Sequence, residues 1–229
     1  MKCVYATFSF LLLFNLSVQS QNVGLSFAYL FPTDGTFAAP ISPFSIRGIG
    51  ISLNNYIALQ TGLSLYRISG LGLKSIPLND KSSLVGPNFT TLIPGEIVFK
   101  FMAKTVQINI KGGGFFFYAF DQHLNYGNLD RAIRNYYNFD IANSSFKFKN
   151  RPGFGWTVGL EFNLDINKKF EISIETNYLR GQSKIPLSGG CYGFVAGGDL
   201  TYVPIQYNDA KVNFSGIELS LGVAMKAHK

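Results

Sequence analysis

Residues 156–164 read Trp156-Thr-Val-Gly-Leu-Glu-Phe-Asn-Leu164, and residues 217–225 read Ile217-Glu-Leu-Ser-Leu-Gly-Val-Ala-Met225. In both, an apolar residue stands at every second position. That is the period of an extended strand, whose successive side chains point to opposite faces, whereas a helix spaces its apolar residues three and four apart. Between the apolar residues lie Thr157, Gly159, Glu161 and Asn163 in the first stretch, and Glu218, Ser220, Gly222 and Ala224 in the second. This second face is small or charged. It makes a poor water-facing surface, as a soluble lipocalin-like barrel would need, and suits the cramped interior of a narrow barrel. The Leu, Ile, Val and Phe of the first face suit lipid.

The same alternation recurs through the chain. It runs through Val23, Leu25, Phe27 and Tyr29; Ile49, Ile51 and Leu53; Ile57, Leu59, Leu63 and Leu65; Ile97, Phe99 and Phe101; Val106, Ile108 and Ile110; and Phe170, Ile172 and Ile174. With the two stretches above this makes eight strands. Their connections alternate in length: short at Asn54-Asn55, Ala103-Lys104 and Asn167-Lys168, long at 31–44, 67–92, 121–151 and 181–211. Short turns at one end and long loops at the other are the signature of an outer-membrane barrel. The fold class expected is therefore all-β: an eight-stranded antiparallel transmembrane β-barrel with short periplasmic turns and long extracellular loops.

Composition agrees. Of 229 residues 47% are hydrophobic and 14% charged, against about 25% charged in an ordinary soluble domain. The 20 Lys+Arg against 13 Asp+Glu are scattered, which is not the clustered footprint of a nucleic-acid binder. Residues 1–20 carry Lys2, an apolar stretch from Phe8 to Leu16, and Val18 and Ser20 at the −3 and −1 positions of a cleavage site. They read as a cleaved signal peptide, leaving 21–229 as one barrel domain with a single thiol, Cys191, and no disulfide framework.

Aromatics gather at strand ends, as interfacial girdles require: Tyr29, Trp156, Tyr178 and Phe214 toward the long loops, and Phe101, Phe162 and Phe170 toward the turns. Charges fall on the inward face: Glu96, Lys100, Lys111, Glu161, Glu171, Glu175 and Glu218. They read as a polar network filling the lumen, because an unpaired buried charge is expensive. A tight turn at Ala103-Lys104 would set Glu96 opposite Lys111 and Lys100 opposite Gln107.

A signal peptide followed by eight alternating strands resembles the small outer-membrane barrels of the OmpX, OmpA and OmpW type, and the Phe-, Tyr-, Asn- and Lys-rich composition is similar to that of Bacteroidota barrel proteins. In the last strand Gly216, Leu219 and Leu221 match the spacing of the insertion signal that such barrels show to the barrel assembly machinery. The resemblance implies an outer-membrane location in a Gram-negative bacterium, contact with outer-membrane lipid, and a structural or accessory role in which loops 67–92, 121–151 and 181–211 bind other outer-membrane or surface proteins. It also implies two alternatives: passage of a small apolar solute through the barrel wall, and lipid modification.

Chemistry is sparse. His123 has no Ser or carboxylate partner at a motif spacing, and no paired-Cys, metal, P-loop or dinucleotide motif is present, so no enzyme activity, metal or cofactor is expected. Gly112-Gly113-Gly114 reads as a bulge in the fifth strand. Residues 128–137 read as a short helix capped by Asn128, with Leu129, Ile133 and Tyr136 on one face. Cys191 is expected to be exposed in its loop. Asn88-Phe-Thr90 matches a glycosylation sequon.

Overall fold

In the computed structural model the described residues are 23–34, 41–78, 82–103 and 106–226. The signal peptide expected over 1–20 lies outside them. The elements are β1 (Val23–Pro32), β2 (Ile41–Ser52), β3 (Ile57–Ile68), β4 (Leu73–Lys74), β5 (Asn88–Ala103), β6 (Val106–Phe120), α1 (Tyr126–Tyr137), β7 (Ile141–Phe148), β8 (Gly153–Asp165), β9 (Phe170–Lys184), β10 (Leu187–Phe194), β11 (Thr201–Tyr207) and β12 (Lys211–Met225).

Eight of these close a barrel, in the order β1-β2-β3-β5-β6-β8-β9-β12, with β12 pairing back to β1 from Val23↔Met225 to Pro32↔Gly216. All eight alternating segments are barrel strands. Their apolar faces point outward. Leu25, Phe27, Ile97, Phe99, Val158, Leu160, Leu219 and Leu221 are all exposed, and an apolar surface carried on strand after strand of a closed barrel suits the hydrocarbon of a bilayer. The turns beyond β2 and β8 share one device: Asn54 Oδ1 accepts from the Tyr56 and Ile57 amides, and Asn167 Oδ1 from the Lys169 and Phe170 amides. These are Asx turns, in which a short side chain replaces a backbone acceptor.

Three local expectations are corrected. In the β5–β6 hairpin Ala103 pairs with Val106, so Glu96 lies opposite Gly113 and Lys100 opposite Asn109. Two residues, 104–105, separate the strands, and the register moves by two while each side chain keeps its face. Gly112–Gly114 pair in unbroken register with both neighbours; no bulge interrupts β6. The bulges lie instead along β2, one of them between Ile46 and Ile49, where Gly48 takes φ 79°, a region open chiefly to glycine.

A bilayer needs about 9–11 residues per strand. β5, β6, β9 and β12 have 15 or 16, so the barrel stands above the membrane on the long-loop side. There the loops are not irregular. β10 pairs with both β7 and β11 to make a three-stranded sheet, and β4 continues the ladder of β12 where β1 has ended. We call this extracellular structure the headpiece.

Candidate functional site

The lumen has two storeys. In the lower one, Arg47 Nη2 donates to Glu218 Oε1 at 2.9 Å, and the Tyr66 hydroxyl donates to the other oxygen of Glu218. Asn177 Nδ2 donates to Glu218 Oε1 and to Glu175 Oε1, each at 2.8 Å. Lys111 Nζ stands 3.0 Å from Glu175 and 3.0 Å from Glu161. Asn109 Nδ2 then donates to Glu161 at 2.8 Å, and Gln107 Nε2 to Asn109 at 2.8 Å. An unbroken chain of contacts thus runs from Tyr66 to Gln107, bringing charges of β2, β6, β8, β9 and β12 into one network.

Lys111, Glu161, Glu175 and Glu218 are therefore assembled as one unit. Glu96 is buried at 6% exposure but joins no ion pair or hydrogen bond among the described residues; the expected Glu96–Lys111 opposition is replaced by Lys111 held between Glu161 and Glu175. Lys100 donates to Ser52 at 3.0 Å near the turns, and Glu171 is buried lower down, opposite Asp165 and Ala224. Arg47 is the charged member that sequence reasoning missed. Counted from Ile49 it belongs to the outward set, but the extra residue at the Gly48 bulge swaps the faces and turns Arg47 inward.

The upper storey is apolar. Tyr66, Phe115, Phe117 and Phe214 are buried inside the barrel; the Phe117 and Phe214 rings stack at 4.7 Å and Tyr66 meets Phe214 edge-on at 6.0 Å. Phe214 is therefore a lumen residue, not part of the girdle. Gly153, Gly155 and Gly181 make room for these rings: a Cβ on any of them would lie within 2.7 Å of Phe115 or Phe117. Tyr29, Trp156, Tyr178, Phe101, Phe162 and Phe170 stand on the outward face, the Trp156 and Tyr178 rings 5.6 Å apart. Gly216, Leu219 and Leu221 lie in the middle of β12, with Leu219 and Leu221 facing outward.

The apolar storey continues into the headpiece. Leu71, Val85 and Leu124 are joined by isolated bridges over the mouth and share one core with Leu129, Ala132 and Ile133 of α1 and with Phe146, Leu187, Cys191 and Ile205 of the sheet. Asn125, not Asn128, caps α1; its Oδ1 accepts from the Asn128 amide. Leu129 and Ile133 are buried as expected, but Tyr136 is exposed and Ala132 takes its place. Asp130 Oδ1 accepts from the Ser144 amide at 2.8 Å and the Tyr126 hydroxyl donates to the Phe146 carbonyl at 3.2 Å, tying α1 to β7. Cys191 is fully buried rather than exposed, and burial pushes its thiol pKa up. Asn88 is also buried and accepts from Thr90, a poor setting for glycosylation.

The outer face of the sheet is different. Ile141, Tyr192, Leu200 and Tyr202 are each more than half exposed, the two tyrosine rings 4.9 Å apart. A cleft of about 390 Å³ opens here, lined by Ile141, Asn143, Tyr192, Phe194 and Leu200. His123 is 61% exposed at its side chain, its Nε2 3.3 Å from Asp121 Oδ1; a carboxylate does lie beside it, two residues away, but both are open to water.

No family model matches the chain, and no curated protein matches it in sequence. Among solved structures the chain is similar to the outer membrane protein OprG from Pseudomonas aeruginosa, with 14% identity, a TM-score of 0.51 and coverage of 93% of this chain and 100% of that one. It is also similar to the N-terminal β-barrel domain of Pseudomonas aeruginosa OprF, with 10% identity, a TM-score of 0.44 and coverage of 90% and 97%. Ail, the attachment invasion locus protein of Yersinia pestis, matches at 12% identity with a TM-score of 0.40 and coverage of 89% and 94%. At this identity the likeness to OprG is one of fold: that of an outer-membrane β-barrel, closed here by eight strands.

Proposed function

We propose that this protein is a non-enzymatic outer-membrane barrel whose headpiece holds a protein partner at the cell surface, as an accessory or structural subunit. The observation that carries the reading is the exposed face of the β7–β10–β11 sheet. Its inner face is buried on α1, so folding needs nothing from the outer one. Yet Ile141, Tyr192, Leu200 and Tyr202 line that outer face in water, well above the lipid belt. Apolar and tyrosine-rich patches around a cleft are the usual core of a protein–protein contact.

A photo-crosslinking residue at position 192 should yield one discrete adduct on intact cells, and the same residue at position 131, on the exposed side of α1, should yield none. Absence of any adduct at 192 defeats the reading.

A second reading, passage of a small apolar solute through the wall, has one observation in its favour. Between β3 and β5 the pairing lapses at Gly62–Leu63 and Ile93–Pro94 and resumes on both sides; Pro94 has no amide to donate. Uptake of an apolar tracer by proteoliposomes, lost on Tyr66→Trp but unaffected by Tyr192→Ser, would favour it over partner binding.

A further inference from the structure

The barrel wall just beyond Trp156 and Tyr178 carries a sector of cations. Arg180 is paired directly opposite Trp156. Higher on the same strand Lys184 is paired directly opposite Lys211 of β12. Arg151 lies two residues before Gly153, where the β8–β9 ladder begins opposite Ser183, the residue next to Lys184. The side chain of Asn150 fastens this segment to the Ala119 carbonyl at 3.3 Å. Lys147, paired opposite Ser188 in the headpiece sheet, and Lys149, just beyond the end of β7, lie on the same segment, and Lys147, Lys149 and Arg151 are all exposed. Against these six, the one acid within ion-pair distance among the described residues is Asp209, 3.8 Å from Lys184 and itself 81% exposed.

Two features of this sector run against ordinary barrel construction. Like charges directly opposite on neighbouring strands, as at Lys184 and Lys211, repel. The basic row also borders the lipid-facing surface of Phe154, Trp156 and Val158, all about half exposed or more; on the other side of Lys211, Lys74 of β4 is paired opposite it and has its own acid, Asp34, at 3.0 Å. An anion resolves the first, and an anion that carries acyl chains resolves the second.

We propose that the β8–β9–β12 sector, with Arg151, Arg180, Lys184 and Lys211 at its centre, is a binding site for the phosphate-bearing headgroup of a lipid in the leaflet on the long-loop side. The acyl chains lie along Phe154, Trp156 and Val158. Guanidinium groups take phosphate oxygens bidentately and the two lysines add point charge. Lys147 and Lys149 reach whatever anionic groups the headgroup extends away from the bilayer.

The test uses the full chain in nanodiscs of phosphatidylcholine containing a minor fraction of lipid A as the phosphorylated probe, with retained lipid read by native mass spectrometry. The wild type should retain lipid A and not its dephosphorylated form. The triple variant Arg151→Gln, Lys184→Gln, Lys211→Gln should lower retention by about tenfold or more, corresponding to the loss of a few charge-assisted contacts. The pair Arg131→Gln and Arg134→Gln on α1 should leave it unchanged. In phosphatidylcholine alone Lys211→Gln should melt no lower than wild type, since it removes a like-charge opposition. Equal retention by the triple variant, or of dephosphorylated lipid A by the wild type, overturns the proposal. Displacement of lipid A by a soluble phosphorylated disaccharide at equal concentration also overturns it, because the site would then hold a free anion and not a lipid.

Discussion

Lys111 shows how a single side chain can hold a lumen together. Its ammonium touches Glu161 and Glu175, and Glu175 is linked through Asn177 to Glu218 and Arg47. Removing one partner of a buried pair leaves the others uncompensated, at a cost of about 3–5 kcal/mol. Lys111→Ala should therefore lower the denaturation midpoint in detergent sharply, while Glu96→Gln, which breaks no ion pair, should leave it unchanged or raised. The reverse order of effects would show that Glu96 and not Glu161–Glu175 is the partner of Lys111. Residue chemistry on the inward face was legible in the alternation, since parity survives a two-residue register shift; the pairing itself was not, because the size of a turn cannot be read from apolar spacing. Arg47 was hidden for a related reason, as its bulge reverses the parity of the residues that precede it, Phe44 to Arg47. A second residue reports on the headpiece. Burial pushes the Tyr207 phenol pKa up to about 12, so the neutral form is favoured in the folded state. That contribution is complete below about pH 10, the ordinary phenol value, and is lost as pH rises from there through about 12. Headpiece stability should fall across that window, and Tyr207→Phe should flatten the fall; an unchanged pH profile in the variant would assign the loss to other groups.

Among the elements, α1 and the headpiece sheet were read from the sequence with unequal success. The helix was visible because Leu129 and Ile133 recur at helical spacing. Its start was placed three residues late because two asparagines, Asn125 and Asn128, compete for one role, and the structure gives the side-chain acceptor to Asn125. Asn125→Ala should cost about 1 kcal/mol of stability, with Asn125→Ser or Asn125→Asp close to neutral. Asn128→Ala removes instead a hydrogen bond to the Ser83 carbonyl, so a helix-selective loss of ellipticity should follow the first substitution and not the second. The sheet was invisible to apolar alternation: β10 reads Leu187-Ser-Gly-Gly-Cys-Tyr-Gly-Phe194, with glycine at three of its eight places. These glycines are required by contact. A Cβ at Gly189 would fall 2.0 Å from the Ser145 carbonyl and one at Gly190 within 2.3 Å of the Tyr202 hydroxyl. Strands built on close approach carry little of the periodic signal on which strand reading depends.

At the scale of the whole molecule, barrel and headpiece share one interior. Buried apolar side chains run without a gap from Leu30 and Phe214 inside the wall, past Leu71 and Val85 at the mouth, to Ile133 and Cys191 above it. The 47% hydrophobic content therefore has two destinations: the lipid-facing belt that the alternation made plain, and a core above the polar network that no single strand announces. Two parts that share a core lose stability together, whereas parts joined only by linkers melt separately. Phe214, stacked on Phe117 and touching Tyr66, stands where the two meet. Truncating a buried Phe to Ala costs about 3–5 kcal/mol. Phe214→Ala should reduce amide protection in α1 and β10 as well as in the upper residues of β6 and β12, within one cooperative transition, and should leave the lower halves of β8 and β9 protected until the barrel itself opens. Loss of protection confined to β6 and β12, with α1 unchanged, would show instead that the headpiece folds as an independent unit on a finished barrel.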